Sequence, residues 1–537
     1  MALIDFKVLP GIDKQDTSSG AENRWVDSDN VRFRYGLPEK VGGWSSLITD
    51  TIVGVARREF AFVDLAGNRY VAIGTDKFLL IYFEGQLYDI TPLKTTLTSC
   101  TIATTSGSPI CSITKASHGL TAGDIILLDS VTLPGGTGYT DADFEDKLFQ
   151  VTNVTSTSVF TITQSTNATA TVSTGGSLSV IPYETVGPAA QSYGYGWGID
   201  TWSSGAWGEA APASDVSLEP GLWSLSNFGQ VLVATIANGK TFTWNAGDAS
   251  RLTTRASTTT SGFSTSANPT ATRVTLVSPT TRHLIHLGTE TVIGDTSTQD
   301  DMFIRFSDQE DITTYQPTAE NTAGSLRIAD GSRIVAAERS RGQILVWTDT
   351  SLHSMQFIGP PFTFGLRQLG QNCGIIGSHA GLDLNGVAYW MSQDSFYLFD
   401  GTVKKLPCTV EQFVFDNINI TGAENAFVGH NGEYNEVLWF YPRTGSDTIN
   451  AVVAYNYLEQ TWWTGTLDRT TWIDREVYDN PVASDYLPTT TANNEVISGL
   501  TDGATQMFLH ETGNDADGQA MTAFVKSGSV EIGDGND

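Results

Sequence analysis

Residues 387–407 read VAYWMSQDSFYLFDGTVKKLP. Residues 387–391 are an apolar, aromatic run fit for a strand, residues 392–395 a polar corner, and residues 396–399 a second strand. Asp400 and Gly401 then turn the chain, because glycine accepts the positive φ of a tight hairpin turn. The same phrase recurs. RYVAIGTDKFLLIYFEGQLYDIT starts at Arg69, GQVLVATIANGKTFTWNAG at Gly229, and GQILVWTDTSLHSMQFIGPP at Gly342. NEVLWFYPRTGSDTINAVVAYNYLEQTWWTG starts at Asn435, and a weaker copy, RHLIHLGTETVIGDTSTQDDMFIRFSD, at Arg282. Each copy has an apolar strand, a short turn with Gly, Asp or Asn, and a second strand with aromatics.

Between residues 229 and 435 the copies begin roughly 45 to 60 residues apart, the spacing of one four-stranded unit each. Such a sheet cannot bury both faces alone. Stacking the units radially gives a β-propeller, which also limits exposed strand edges. No WD-repeat or kelch signature is present, and unrelated hairpins in a large β-sandwich are the competing reading. The expected fold is all-β: a β-propeller with an inserted small β-barrel or sandwich domain.

The insertion is read from the one break in rhythm, between Arg69 and Gly229. Residues 99–179 are dominated by Thr, Ser, Val and Gly and contain ITKASHGLTAGDIILLDSV, FEDKLFQVTNV and TSTSVFTITQST. Short alternating strands of this kind belong to a small independent β domain. A surface loop accepts such an insertion at little cost. The expected division is 1–98 for the N-terminal segment and first blade or blades, 99–183 for the inserted domain, 184–510 for the remaining blades, and 511–537 for a C-terminal segment. The segment YGYGWGIDTWSSGAWG, residues 193–208, interleaves glycines with Trp197, Trp202 and Trp207. It reads first as core or interface packing and second as a glycan-stacking surface.

The 537 residues carry 59 acids against 30 bases, a formal charge of −29. Phosphate binding needs clustered Lys and Arg, so wrapping of nucleic acid is disfavoured. No stretch has the apolar length of a membrane span, and MALIDFKVLPG lacks the basic head and hydrophobic core of a signal peptide. Cys100, Cys111, Cys373 and Cys408 form no CxxC and are expected as free buried thiols of a reducing compartment.

Catalytic and metal patterns are weak throughout. His118, His283, His286, His353, His379, His430 and His510 are dispersed. His283 and His286 lie three apart, which on a strand sends them to opposite faces. GNDADGQAM, residues 513–521, imitates a calcium loop, but the first ligand position is Gly513 and the twelfth is Phe524 where a bidentate Glu belongs. The chain has no SxDxGxTW turn, Gly-x-Ser-x-Gly elbow, HExxH or GxxxxGK[ST]. Paired carboxylates cannot be picked out among so many. No catalytic, cofactor-binding or metal-binding residue is therefore assigned.

Several motifs in order resemble a known family. DNVRFRYGLPEKVGGW (residues 29–44) and DMFIRFSDQEDITTYQPTAENTAGSLRI (residues 301–328) look like stretches of tailed-bacteriophage tail proteins, with Tyr315 standing where tryptophan is expected. ILVWTDTSLHSMQFIGPPFTFG, NCGIIG, GVAYWMSQDSFYLFDG, NEVLWFYP, YNYLEQTWWTG and GNDADGQ continue the match. The resemblance covers most of the chain outside residues 99–183. The inserted segment is similar to small accessory β-domains of phage structural proteins.

The family is that of the tail nozzle, or packaged-DNA stabilisation, proteins of short-tailed phages, the podovirus tail tubular or hub proteins. It implies a virion structural protein and not an enzyme: a homohexameric ring beneath the portal adaptor protein. Tail fibres or a needle would be its neighbours. Packaged DNA would be retained, and at ejection would pass through the lumen without sequence-specific binding. The implied location is the phage tail, and the host cytoplasm during assembly. The chain ends at VEIGDGND, where related chains tend to continue. Arg32, Arg34, Arg57, Arg58, Arg339 and Arg341 are expected mainly at subunit contacts, where Arg beside aromatics is favoured. From a different class, the aromatic-rich loops point to a carbohydrate-binding or depolymerising tail propeller acting on host surface glycans. A generic cellular binding propeller is the third reading.

Overall fold

The phrase at residues 387–407 folds as a hairpin, Val387–Met391 against Phe396–Phe399, and the chain turns at Gly401 with φ +112° into Val403–Lys405. The structure is a computed structural model describing residues 7–17, 20–21, 23–189, 219–258, 268–488, 492, 497–498 and 503–529. Each of the six phrases supplies the two middle strands of one antiparallel sheet. These strands are apolar on both faces because a sheet lies on either side of them.

Blade 1 comprises Ala56–Val63, Arg69–Thr75, Leu79–Phe83 and Gln86–Asp89. Blade 2 has Trp223–Phe228, Val231–Ile236 and Thr241–Asn245, extended by a bridge from Thr243 to Ser257. Blade 3 has Thr272–Val277, Leu284–Thr289, Phe303–Phe306 and Gly324–Arg327. Blade 4 runs Ile334–Ser340, Gln343–Thr348, Ser351–Gly359 and Thr363–Gln371. Blade 5 is Gly381–Leu384 followed by the three strands of the opening phrase. Blade 6 has Phe427–Asn431, Glu436–Tyr441, Ala451–Asn456 and Thr461–Gly465.

The seventh blade has no phrase of its own. Its strands Thr471–Ile473, Val482–Leu487 and Ala504–His510 come from the far end of the chain, and its outer strand is Trp44–Ser46. Trp44 pairs with His510 and Ser46 with Phe508, while Ile52–Val53 pairs with the start of the same strand. The first strands of the blades touch in closed cyclic order, blade 1 through blade 7 and back to blade 1. The result is a seven-bladed β-propeller whose last sheet is completed by both parts of the chain.

Apolar clusters fill the gaps between blades: one joins blades 1 and 2, another blades 3 and 4, and the largest runs through blades 4, 5 and 6. Tryptophans also bolt blade to blade. Trp223 Nε1 of blade 2 donates to Thr75 O of blade 1 (2.8 Å), and Trp472 Nε1 of blade 7 donates to His430 O of blade 6 (2.8 Å). Each indole packs against a glycine of the preceding blade. A Cβ on Gly74 or on Gly429 would sit 2.5 Å or 2.7 Å from the indole. An aromatic of this size buries about 200 Å², worth on the order of 4 kcal/mol.

Between blades 1 and 2 the chain leaves the ring. Leu97–Thr104, Ile110–Thr114, Ile125–Thr132, Lys147–Ser156, Val159–Thr163 and Val172–Pro182 close into a six-stranded barrel, shut by Ile125–Thr132 pairing on both sides. Cys100, Cys111, Phe144, Phe149 and Phe160 are among its core residues. Its stem strands run side by side, with Lys94 N donating to Pro182 O and Glu184 N to Pro92 O. The barrel also docks: Ile125, Leu148 and Tyr183 share a cluster with blades 1 and 7, and Ile497–Ser498 pairs with the barrel strand Lys147–Ser156. All four cysteines are free and buried. Residues 193–208 and the terminal VEIGDGND lie outside the described residues.

The residue 29–44 motif forms the hairpin Val31–Arg34 and Leu37–Lys40 and then enters blade 7 as its outer strand. Beside it, Leu9–Ile12, Arg24–Asp29 and Phe524–Ser527 make a small sheet against the outer strand of blade 6.

Candidate functional site

The first strands of the blades line the propeller axis, and their sequences carry unexpected charge. ARREFAFV opens blade 1 and IVAAERS opens blade 4. Alternation on a strand sends every second residue into the channel or into a neighbouring blade, so a run such as Arg57-Arg58-Glu59 is split between environments. Glu59 is buried against blade 7, accepting from Ser484 Oγ, and burial pushes its carboxyl up to about 7. Arg57 is buried too, donating to Ala189 O. Burial lowers it to about 10, against the attraction of Asp76.

Arg58 faces the channel. A cavity of about 120 Å³ lies there, lined by Arg58, Ser226, Thr275, Glu338, Arg339 and His379 among others, so five blades contribute to it. Burial lowers the Arg58 pKa while Glu338 and Glu476 oppose the shift. Burial raises Glu338, with Arg58 the strongest opposing charge. Arg339 donates to Ser226 Oγ, and its backbone N–H donates to Glu338 Oε1 at 3.1 Å. His379 is held neutral: burial, with Arg58 adding to it, drops its pKa to about 3.

The channel mouth on the side where these strands begin is bridged by ion pairs. Glu219, ahead of blade 2, accepts from Arg273 of blade 3 at 2.9 Å and from Arg333 of blade 4 at 2.9 Å. Arg333 also reaches Glu424, which precedes blade 6. Burial works against the Glu219 carboxylate, yet Arg273 and Arg333 together hold its pKa below the usual value.

The expectation that the arginines serve subunit contacts needs correction for Arg32, Arg57, Arg58 and Arg339. Arg32 is 1% exposed. It bonds Glu511, lies 3.8 Å from Glu436, and stacks 3.6 Å above the Tyr434 ring, all within one chain. Arg57, Arg58 and Arg339 belong to the blade interior or the channel. A strand whose two faces are both covered buries even its charged residues, and the sequence alone does not say that these are first strands. Arg34 sits over Tyr35 and Tyr434, and Arg341 is exposed.

The histidine pair is structural. His283 bonds Thr281 Oγ1 (2.7 Å) and Thr322 Oγ1 (3.0 Å), while His286 bonds Thr272 Oγ1 (3.2 Å) and Tyr315 OH (3.0 Å). Tyr315, where the resemblance expects tryptophan, is buried as this partner. Burial drops the two imidazoles to about 4 and about 3. The acidic turn at residues 513–521 fastens the N-terminal strand: Asp517 accepts from Ser46 N and Oγ, and Asp515 O from Trp44 N. Asp129, Glu145 and Asp146 of the barrel converge, but Asp129 and Glu145 are already acceptors for the backbone at Ser130 and Val131. Sequence reasoning missed the channel charges Glu338 and Glu219. For Glu338 the readable signal was a charged pair inside an otherwise apolar strand one hairpin ahead of the phrase, as in ARREFAFV before Arg69 and IVAAERS before Gly342.

No family model matches the chain, and no curated protein matches it in sequence. Among solved structures it is similar to a phage phi92 endosialidase, at 12% identity and TM-score 0.25, over 94% of this chain and 78% of that one. It is also similar to the RRP9 WD40 repeats at 10% identity and TM-score 0.29, over 56% of this chain and 86% of that one. The Cps50 (Swd1) β-propeller domain of Myceliophteria thermophila matches at 9% identity and TM-score 0.31, over 54% of this chain and 84% of that one. The propeller itself rests on the closed order of its first strands. Among the described residues no helix is long and apolar enough to cross a membrane.

Proposed function

We propose that this chain is a non-enzymatic wall component of a bacteriophage tail, a nozzle or hub subunit that forms a ring below the portal adaptor and conducts and retains packaged DNA. One observation carries the reading: segments that bear the family resemblance are spent on fastening the fold, and one of them, residues 29–44, completes the last blade. Residues 29–44 supply Arg32 to the buried cluster with Glu511 and Glu436, and Trp44 to blade 7. In residues 301–328, Asp308 accepts from Thr322 N and Oγ1, and Asp311 caps Thr313 and Thr314. Motifs spent on fastening favour a stiff body over a reactive one.

The propeller's own axis is filled by side chains around a cavity of about 120 Å³. A passage for DNA therefore belongs between copies of the chain. A net charge of −29 favours sliding over sticking there. Purified protein, alone and with the portal adaptor, is to be imaged in negative stain and weighed by mass photometry. Six-fold rings support the proposal. Release of oligosaccharide from host capsule or lipopolysaccharide would sink it in favour of a depolymerising propeller.

A further inference from the structure

The channel holds a cation with nothing to hold. Among the described residues Arg58 makes no hydrogen bond and no ion pair, and its Nε is shut off from solvent without a partner. Arginine has five N–H donors in a fixed fork, and those of the half-buried Arg58 have no protein partner among the described residues. Two more groups beside the same cavity lack partners, Ser378 Oγ and His379 Nε2. Arg339 adds a second guanidinium to the lining, engaged through one nitrogen with Ser226. Glu338 does not neutralise Arg58 by contact, since no ion pair joins them and its Oε1 is taken by the Arg339 backbone.

We infer that the axial cavity of the propeller is a binding site for a small oxoanion, held by the Arg58 guanidinium with Arg339, Ser378 and His379 around it. Two oxygens on one centre match the two parallel N–H vectors of a guanidinium, which points to a carboxylate or a phosphate and not to a halide. About 120 Å³ accommodates a single anion of that size and excludes a nucleotide or a sugar chain. His379 is neutral and adds no charge, and its partnerless Nε2 reaches the ligand as a donor in the tautomer that carries the proton there. Such a ligand would join blades 1, 4 and 5 across the axis, where the chain supplies no side-chain bond between Arg58 and the opposite wall.

The test is isothermal titration of the full chain with inorganic phosphate and, separately, with acetate, repeated on Arg58→Met and on Arg341→Met. Arg341 is exposed and lies two residues beyond Arg339. The expected result is one saturable site for at least one of the two anions, weakened tenfold or more in Arg58→Met and unchanged in Arg341→Met. The anion that binds identifies the source. Should Arg58→Met fail to fold, Ser378→Ala is expected to weaken binding severalfold, and selenate soaked into crystals of the wild-type chain should give an anomalous peak at the Arg58 guanidinium. No saturable binding of either anion, or equal binding by Arg58→Met, overturns the proposal.

Discussion

Replacing Arg32 by methionine removes a buried cation while keeping most of its length. Arg32 ties three parts of the chain together: its own N-terminal hairpin, Glu436 of blade 6 and Glu511 just past blade 7. Glu511 also accepts from Gly42 N (3.1 Å) and Asn431 Nδ2 (2.9 Å), and Glu436 from Trp463 Nε1 (2.7 Å). Both carboxylates stay buried when the guanidinium goes. Burial already pushes Glu436 up to about 7 with Arg32 opposing, so its loss drives that carboxyl higher still. Breaking one side of a buried ion cluster costs about 3–5 kcal/mol. The loss of the Tyr434 stack is part of that figure. Urea unfolding followed by tryptophan fluorescence reports chiefly on the propeller and not on the barrel, because no tryptophan lies in residues 97–182. The midpoint is expected to fall by about 1 M, taking a urea slope of about 4 kcal/mol per M, somewhat above the small-protein range. Arg32→Met with Glu511→Gln should recover part of the loss. A fall below about 0.2 M, the scale of a solvent-exposed pair, would refute the claim that this cluster fastens the fold.

Three further outcomes follow from the same geometry. Glu59 carries a folded-state pKa of about 7 against its usual 4.5, raised by burial. The folded chain thus holds a proton that the unfolded chain releases between those values, so this group's contribution to stability falls as pH rises from about 4.5 to about 7 and is flat above. Glu59→Gln should stabilise the protein at pH 8 by up to about 3 kcal/mol and flatten that slope in pH-dependent urea titrations; unchanged stability at pH 8 would contradict it. Gly429→Ala places a Cβ 2.7 Å from the Trp472 indole, and the forced separation of blades 6 and 7 should cost about 1–3 kcal/mol by the same fluorescence assay. Replacing residues 95–181 by a short Gly-Ser linker should leave a folded propeller by circular dichroism, since the stem strands already run side by side. It should be less stable than the full chain, because the barrel's Ile125 and Leu148 no longer cover blades 1 and 7.

Six blades were legible because their middle strands are covered on both sides and so read as unbroken apolar runs. The barrel was legible because its strands alternate and its composition differs. Blade 7 was not. Its outer strand stands at residues 44–46, far from the other three in sequence, and its Val482–Leu487 and Ala504–His510 strands are parted by a detour that reaches the barrel. Non-local pairing of that kind leaves no periodic signature. The channel was hidden for a related reason: arginine in a strand looks like a surface residue until the strand is known to be innermost. Arg32 and Arg58 show both sides of this. One is a cross-link within the chain and the other an unpaired charge on the axis, and nothing in VRFR or ARREF tells them apart.

The central claim is that this seven-bladed body is a repeated brick in a tube wall. Electron cryomicroscopy of the assembled virion tests it most directly. The account predicts copies of this propeller, with its six-stranded barrel attached, arranged six-fold about the tail axis directly below the portal adaptor and enclosing an open lumen. Finding the chain only in distal spikes or fibres, or absent from the particle, would contradict it.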